Sequence, residues 1–173
     1  MSGIRARALG RRDLQVINDV VASAVMAWPL PERMKRLSLP VLRYDEVDLD
    51  HFSGIGAYSL DGLVKPFDLY GVALWDEAVL HGLYVRPEAQ GCGVGRSLLD
   101  AVAAQARQVG ISRLLVKAAR ASAGYCQQLG LPAAGPETPY PYAFYLDTAG
   151  FLAFAHGAGS ADRAGDHVSR FPR

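Results

Sequence analysis

The sequence predicts an α+β domain around a mixed, mostly antiparallel sheet. Short apolar runs of β type crowd residues 54–85. Strand and helix alternate only in the second half of the chain, which confines parallel pairing to that half. Between the last strand of the β-rich stretch and the next helix stand three glycines, in Gly91-Cys92-Gly93-Val94-Gly95. The 173 residues amount to about one domain. A chain of that size buries roughly two thirds of its unfolded surface.

The elements follow in order. Ile4 to Leu9 alternates apolar with charged residues and predicts a first strand. Asp13 is placed to cap a helix on which Leu14, Ile17, Val20, Val21, Ala24 and Val25 recur at helical spacing, and Pro29 ends it. Pro31-Glu32-Arg33 opens a short second helix through Leu37, since proline suits a first helical turn. Tyr44 to His51 is acidic and reads as a loop. Gly54 to Leu60 is a weak strand and Leu69 to Trp75 a better one, with a turn at Asp76-Glu77. Ala78 to Val85 is nearly continuous in apolar character, the pattern of a strand covered on both faces.

After the glycines, Leu98, Leu99, Val102, Ala103 and Ala106 form a helical stripe within Arg96–Val109, and Gly110 ends it. Leu114 to Ala118 is another strand. Ser122 caps a short helix to Leu129, which Gly130 stops, and Tyr142 to Leu146 is the last strand. Beyond His156 few apolar residues remain. The expected organisation is one domain over residues 1–155 and a mobile tail over residues 156–173.

Composition excludes several classes. Half the residues are hydrophobic and 20% are charged, which argues against a mostly disordered chain. Eighteen Lys+Arg against 17 Asp+Glu give a net +1, so no global charge draws the chain to nucleic acid or an anionic membrane. Two cysteines, Cys92 and Cys126, are too few for a disulfide scaffold. Residues 1–7 lack the apolar stretch of a signal peptide, and the run Val20–Leu30 is shorter than the ~20 residues that cross a bilayer. A soluble, cytoplasmic protein is expected, with no nucleic-acid or membrane partner and no metal.

The glycine segment carries the functional signal. Glycines let the backbone approach a ligand, and the following helix offers unpaired N–H groups and the positive end of its dipole, which suit phosphate. Gly95 is followed by Arg96-Ser97 rather than the Lys-Ser/Thr of a Walker loop. A dinucleotide fingerprint begun at Gly91 or at Gly93 meets Arg96 or Leu98 where it requires glycine. Both failures disfavour a generic nucleotide binder. What remains, Gln90-Gly91-Cys92-Gly93-Val94-Gly95, fits Gln/Arg-x-x-Gly-x-Gly/Ala. With the preceding Leu83-Tyr84-Val85-Arg86-Pro87 and the following Arg96-Ser97-Leu98-Leu99, it resembles the acyl-CoA site of the GNAT superfamily of N-acetyltransferases.

The resemblance implies a three-layer domain, with helices on both faces of the sheet and a splayed parallel strand pair. It implies acetyl-CoA as co-substrate, its pyrophosphate held by backbone N–H groups from Gly91 through Cys92, Gly93, Val94 and Gly95 to Arg96. The Gln90 amide would reach a phosphate or brace the turn, and Arg96 or Ser97 would add a side-chain contact. The pantetheine arm would pair with the strand edge at Leu83, Tyr84 and Val85, opposite Leu114–Ala118. A backbone N–H of that edge would face the thioester oxygen.

His81 is the leading candidate base, two residues before Leu83 on the same strand and titrating near neutrality. A packing histidine is the alternative. Glu77 is a second candidate. In many relatives a tyrosine protonates the leaving thiolate. Here Cys126 occupies its position, four before Gly130, and Tyr125 precedes it. Three readings stand: Cys126 as a thiol acid, Tyr125 on a rotated helix, or no essential acid. Asp45, Glu46, Asp48 and Asp50, with His51, either draw a cationic amine or form a solvated loop. Trp28, Met34, Tyr70 and Trp75 either line an acceptor pocket or fill core, and Pro136, Pro139 and Pro141 stiffen a loop near the entrance. The expected acceptor is a small-molecule or peptide amine, in a protein that forms a homodimer or not. A non-catalytic acyl-CoA-binding or regulatory module is the competing reading.

Overall fold

A computed structural model of the chain describes residues 3–59 and 69–149. The expected tail over residues 156–173, the domain end at residue 155 and Leu60 lie outside the described residues. Six strands form one sheet in sequence order: β1 (Ile4–Leu9), β2 (Ser53–Ser59), β3 (Gly71–Asp76), β4 (Val79–Val85), β5 (Arg113–Lys117) and β6 (Ala143–Asp147). All neighbours are antiparallel except β4 and β5. The helices are α1 (Leu14–Met26), α2 (Glu32–Leu42), α3 (Glu46–His51), α4 (Val94–Gln108) and α5 (Ala123–Gln128).

Strand and helix periods divide the apolar residues between two faces. Ile17, Val20, Val21 and Val25 of α1 pack on Val72, Leu74 and Tyr84, and Leu39 and Leu42 of α2 join them at the margin. Leu98, Leu99, Val102, Ala103 and Ala106 of α4, with Cys126 of α5, pack on Ile55, Ala57, Ala73, Leu114 and Val116. Alternate residues of β3 thus face opposite layers, as a period of two requires. Each fully buried Leu or Val contributes about 1.5–3 kcal/mol. Gly71 lets α4 lie directly on the sheet, because a Cβ there would stand 2.9 Å from Leu98, Val94 and the Tyr84 carbonyl.

Several local expectations need correction. The second helix does not stop at Leu37. It continues through Pro40 to Leu42, because Leu39 and Leu42 have a core to pack on and proline removes only one N–H near the helix end. Residues 44–51 are not a loop. Asp45 and Asp48 accept each other's backbone N–H at 2.9 Å, a capping box that starts α3, and Leu49 is buried beneath it.

Asp13 does not cap α1 with its side chain. Its carboxylate accepts from Gly10 N and Arg7 Nη2, both at 2.9 Å, closing a 3-10 turn over Arg11–Asp13. Ser122 does not cap α5 either, since its hydroxyl bonds back to Ala119 N and O at 3.1 Å. Finally, β4 is not covered on both faces. Leu80, Gly82 and Tyr84 are buried, while Val79, His81, Leu83 and Val85 are half-buried, because β5 leaves its side.

That departure sets up the site. Leu74 pairs with Gly82 but Trp75 pairs with Leu80, so His81 is the extra residue of a β-bulge. A bulge bends its strand and re-aims a side chain. On the other edge, β4 meets β5 only at Val79–Leu115 and Leu80–Val116. From His81 to Val85, β4 has no partner on β5, and a slot opens between the two parallel strands.

Candidate active site

The slot offers peptide groups. Arg86 N donates to Tyr70 O at 2.8 Å, which fixes the phase of the β3–β4 ladder. Gly82 and Tyr84 therefore turn their backbone toward β3, and Leu83 and Val85 turn theirs toward the slot. Side-chain identity matters little at those two positions. The Tyr84 side chain, by contrast, belongs to the α1 face.

The glycine segment lies beyond the C-terminal end of β4. Pro87 begins a 3-10 turn through Ala89, with Gln90 N bonded to Pro87 O at 3.2 Å and Cys92 N to Ala89 O at 3.4 Å. Gly91 at φ 74° and Gly93 at φ 82° sit in the left-handed region, where any other residue is strained. Intrahelical bonding of α4 begins with Ser97 N to Gly93 O at 2.9 Å. The N–H groups of Gly93, Val94 and Gly95 thus stand at the helix N-terminus beside the positive dipole end.

The Cys92 N–H serves the turn, and the N–H groups of Gly93, Val94 and Gly95 precede the first intrahelical bond of α4. Val94 faces the core at 2% exposure, so only its backbone is available. Cys92 is exposed and its thiol donates to Gln90 O at 3.7 Å. Gln90 is exposed, and Arg96 and Ser97 are half-buried.

At the apex of the slot lies a cavity of about 280 Å³. One wall is β4 from His81 to Tyr84. The facing wall is Val116 to Ala119 at the end of β5, with Ser122, Tyr125 and Cys126. Trp28, Val41 to Tyr44 and Phe52 close the far side. Of the expected aromatic and methionine residues only Trp28 lines it. Met34 is exposed, and Tyr70 and Trp75 are core.

His81 enters this cavity from the bulge. Its Nε2 lies 2.5 Å from Asp76 Oδ1, and its ring stacks on Phe52 with centroids 4.7 Å apart and planes at 28°. With Asp76 accepting the Nε2 proton, Nδ1 carries the lone pair, and it has no protein partner among the described residues. Glu77 is exposed at the β3–β4 turn, at φ 42°, and does not line the cavity.

Tyr44 is a cavity residue that sequence reasoning missed. Buried Asn18 of α1 holds its backbone in both directions, donating to Tyr44 O and accepting from Tyr44 N at 2.9 Å. The Tyr44 hydroxyl lies over Gly82, in the space a Cβ would occupy, and donates to Tyr84. Burial pushes the Tyr44 phenol far above its ordinary value, so at neutral pH it is a proton-bearing donor.

Cys126 and Tyr125 both line the cavity. Burial pushes the Cys126 thiol up to about 11. That makes it a weaker acid than an ordinary thiol near 8.5, and a poor proton donor to a leaving thiolate. Tyr125 places its hydroxyl against Gly95, on the first turn of α4, in space that a Cβ on Gly95 would need. Burial raises its phenol as well.

The acidic run is excluded from the site. Asp45 and Asp48 cap α3, while Glu46 and Asp50 pair with Arg11. No carboxylate lines the cavity among the described residues. Sequence reasoning also passed over Asp76 as a partner of His81, and over Phe52, Arg43 and Lys117. A hairpin turn at residues 77–78 brings Asp76 near Val79, but the bulge that delivers His81 to it leaves no mark in composition. Among the described residues no helix is long and apolar enough to cross a membrane.

Known proteins share this fold. Residues 69–131, spanning β3, β4, the glycine loop, α4, β5 and α5, match the model of the Acetyltransferase (GNAT) family. A GCN5-related N-acetyltransferase from Rhodopseudomonas palustris superposes with a TM-score of 0.67 at 19% identity, covering 85% of this chain and 97% of its own. The PaiA N-acetyltransferase of Thermoplasma acidophilum, in complex with coenzyme A, gives 0.63 at 19% identity, covering 83% and 96%. The ribosomal-protein-alanine N-acetyltransferase of Brucella melitensis biovar Abortus 2308 gives 0.56 at 21%, covering 80% and 96%. At these identities the likeness is one of fold. Comparison with curated proteins gives no match.

Proposed function

We propose that this chain, whose residues 69–131 match the GNAT acetyltransferase family model and whose fold is similar to that of GNAT structures, transfers an acetyl group from acetyl-CoA to a primary amine, by direct attack and without a covalent enzyme intermediate. One observation carries this reading. β4 and β5 part immediately after Leu80–Val116, and the slot runs from a cavity lined by His81, whose ring is held from behind by Asp76, toward a helix N-terminus entered through two left-handed glycines.

In this reading each part has a task. The outward N–H groups of Gly93, Val94 and Gly95 hold the pyrophosphate of the donor substrate. The slot-facing peptide groups of Leu83 and Val85 pair with its amide arm, and one N–H is left to meet the thioester oxygen as negative charge develops there. The amine nitrogen adds to the carbonyl carbon, forming the C–N bond. The C–S bond then breaks and sulfur leaves with the electron pair. The amine's proton passes to His81 Nδ1, with Asp76 holding the imidazole in the required tautomer. The thiolate takes its proton from water, since a Cys126 thiol near 11 offers no gain.

A second reading has one observation behind it. The position that holds a tyrosine in many GNAT enzymes holds Cys126, which suits an acyl-CoA-binding module that has lost transfer chemistry. Thiol release from acetyl-CoA across a panel of small amines and N-terminal peptides separates the two. Release dependent on the amine supports the enzyme. Tight acetyl-CoA binding with no release supports the module. No binding at all overturns both.

A further inference from the structure

We propose that the acceptor is a free α-amino acid with a large apolar side chain. This rests on the acetyltransferase reading and names its substrate class. The cavity carries two cations and no carboxylate among its described lining residues: Arg43, just past the end of α2, and Lys117, at the end of β5. Neither forms an ion pair with a described residue. Lys117 instead rests its ammonium 5.2 Å from the centre of the Tyr140 ring, which holds it at the cavity edge without neutralising it. Asp76, behind His81, is engaged by its Nε2.

Such a site attracts a carboxylate and repels a second ammonium. It therefore disfavours polyamines and polycationic antibiotics, which need acidic walls. The same two charges lower the pKa of a bound amine and increase its neutral, nucleophilic fraction, leaving less work for His81. Apolar surface completes the recognition. Trp28, Val41 and Phe52 line the side away from β5 and offer contact to an apolar side chain.

The test compares phenylalanine with phenylalaninamide, which has the same body without the carboxylate, and with spermidine. The full chain is used, with acetyl-CoA and thiol release as readout. Phenylalanine is expected to exceed phenylalaninamide by about tenfold or more in kcat/KM, with spermidine lowest. The double variant Arg43→Ala, Lys117→Ala should reduce the ratio of phenylalanine to phenylalaninamide by about tenfold. Both positions are exposed, so the variant folds. Preference for spermidine or phenylalaninamide, or a ratio unmoved by the double variant, overturns the inference and leaves acetyl transfer standing. If acetyl-CoA binds but no amine reacts, calorimetry of phenylalanine on the acetyl-CoA-loaded protein decides: binding weakened in the double variant supports the inference, and no binding overturns it. Failure to bind acetyl-CoA removes the reading on which it rests.

Discussion

At the residue scale the site turns on which side chains hold protons. His81 gains its orientation from Asp76 and Phe52, so His81→Ala should lower kcat/KM by about 10²–10³ and abolish the acid limb of its pH profile. Asp76→Asn should cost less, because the ring loses only the carboxylate that fixes its tautomer and orientation. Unchanged kcat/KM in both variants would reduce His81 to a packing residue. Cys126 and Cys92 make a contrasting pair. Cys126 is 4% exposed with a thiol pushed up to about 11, while Cys92 is exposed on the loop. Iodoacetamide at neutral pH should therefore label Cys92 in the folded protein and leave Cys126 intact, as peptide mass mapping would show. Cys126→Ala should keep kcat within about threefold while lowering stability by about 1 kcal/mol through a small cavity. Loss of turnover in the folded variant would restore a thiol acid.

Among the elements, two connections hold the site open at its working ends. Asn18 of α1 clamps the segment between α2 and α3 through the Tyr44 backbone, and that segment carries Arg43 and the Tyr44 hydroxyl into the cavity. Asn18→Ala leaves two backbone groups without partners and should cost about 2 kcal/mol. It should also raise KM for the acceptor while leaving acetyl-CoA affinity unchanged, a split that isothermal titration and steady-state kinetics read separately. At the other end, Gly93→Ala forces a side chain into a left-handed backbone at the start of α4, at a cost of about 1–2 kcal/mol. There the pattern reverses: acetyl-CoA affinity should fall and acceptor KM should hold. Equal effects of both variants on both ligands would contradict the separation into donor and acceptor ends.

For the whole molecule, legibility followed the kind of signal each feature leaves. The sheet, α1, α4 and the glycine loop were readable because period, glycine spacing and helix stops act within a few residues: Leu98 to Ala106 formed its predicted stripe, and Gly91 and Gly93 took the backbone that glycine permits. The helix at residues 46–51 was missed although Asp45-x-x-Asp48 is a local signal, because the run's charge was weighed ahead of its capping pattern. The acceptor wall was less legible still. Arg43, Lys117, Phe52 and His81 meet only through long-range packing and a bulge, and nothing in their spacing forecasts that meeting. The result is a sheet that is closed at β3–β4 and open at β4–β5, with the glycine loop toward one end of the slot and the cavity that His81 enters at the other. Acetyl-CoA carrying a ¹³C-labelled acetyl carbonyl, incubated with the full chain and the amine panel, tests that account most directly, with the label traced by mass spectrometry. The account predicts label in an acetylated amine and none on the protein. Label retained on the protein, or no labelled amine from a protein that binds acetyl-CoA, would contradict direct transfer across the slot.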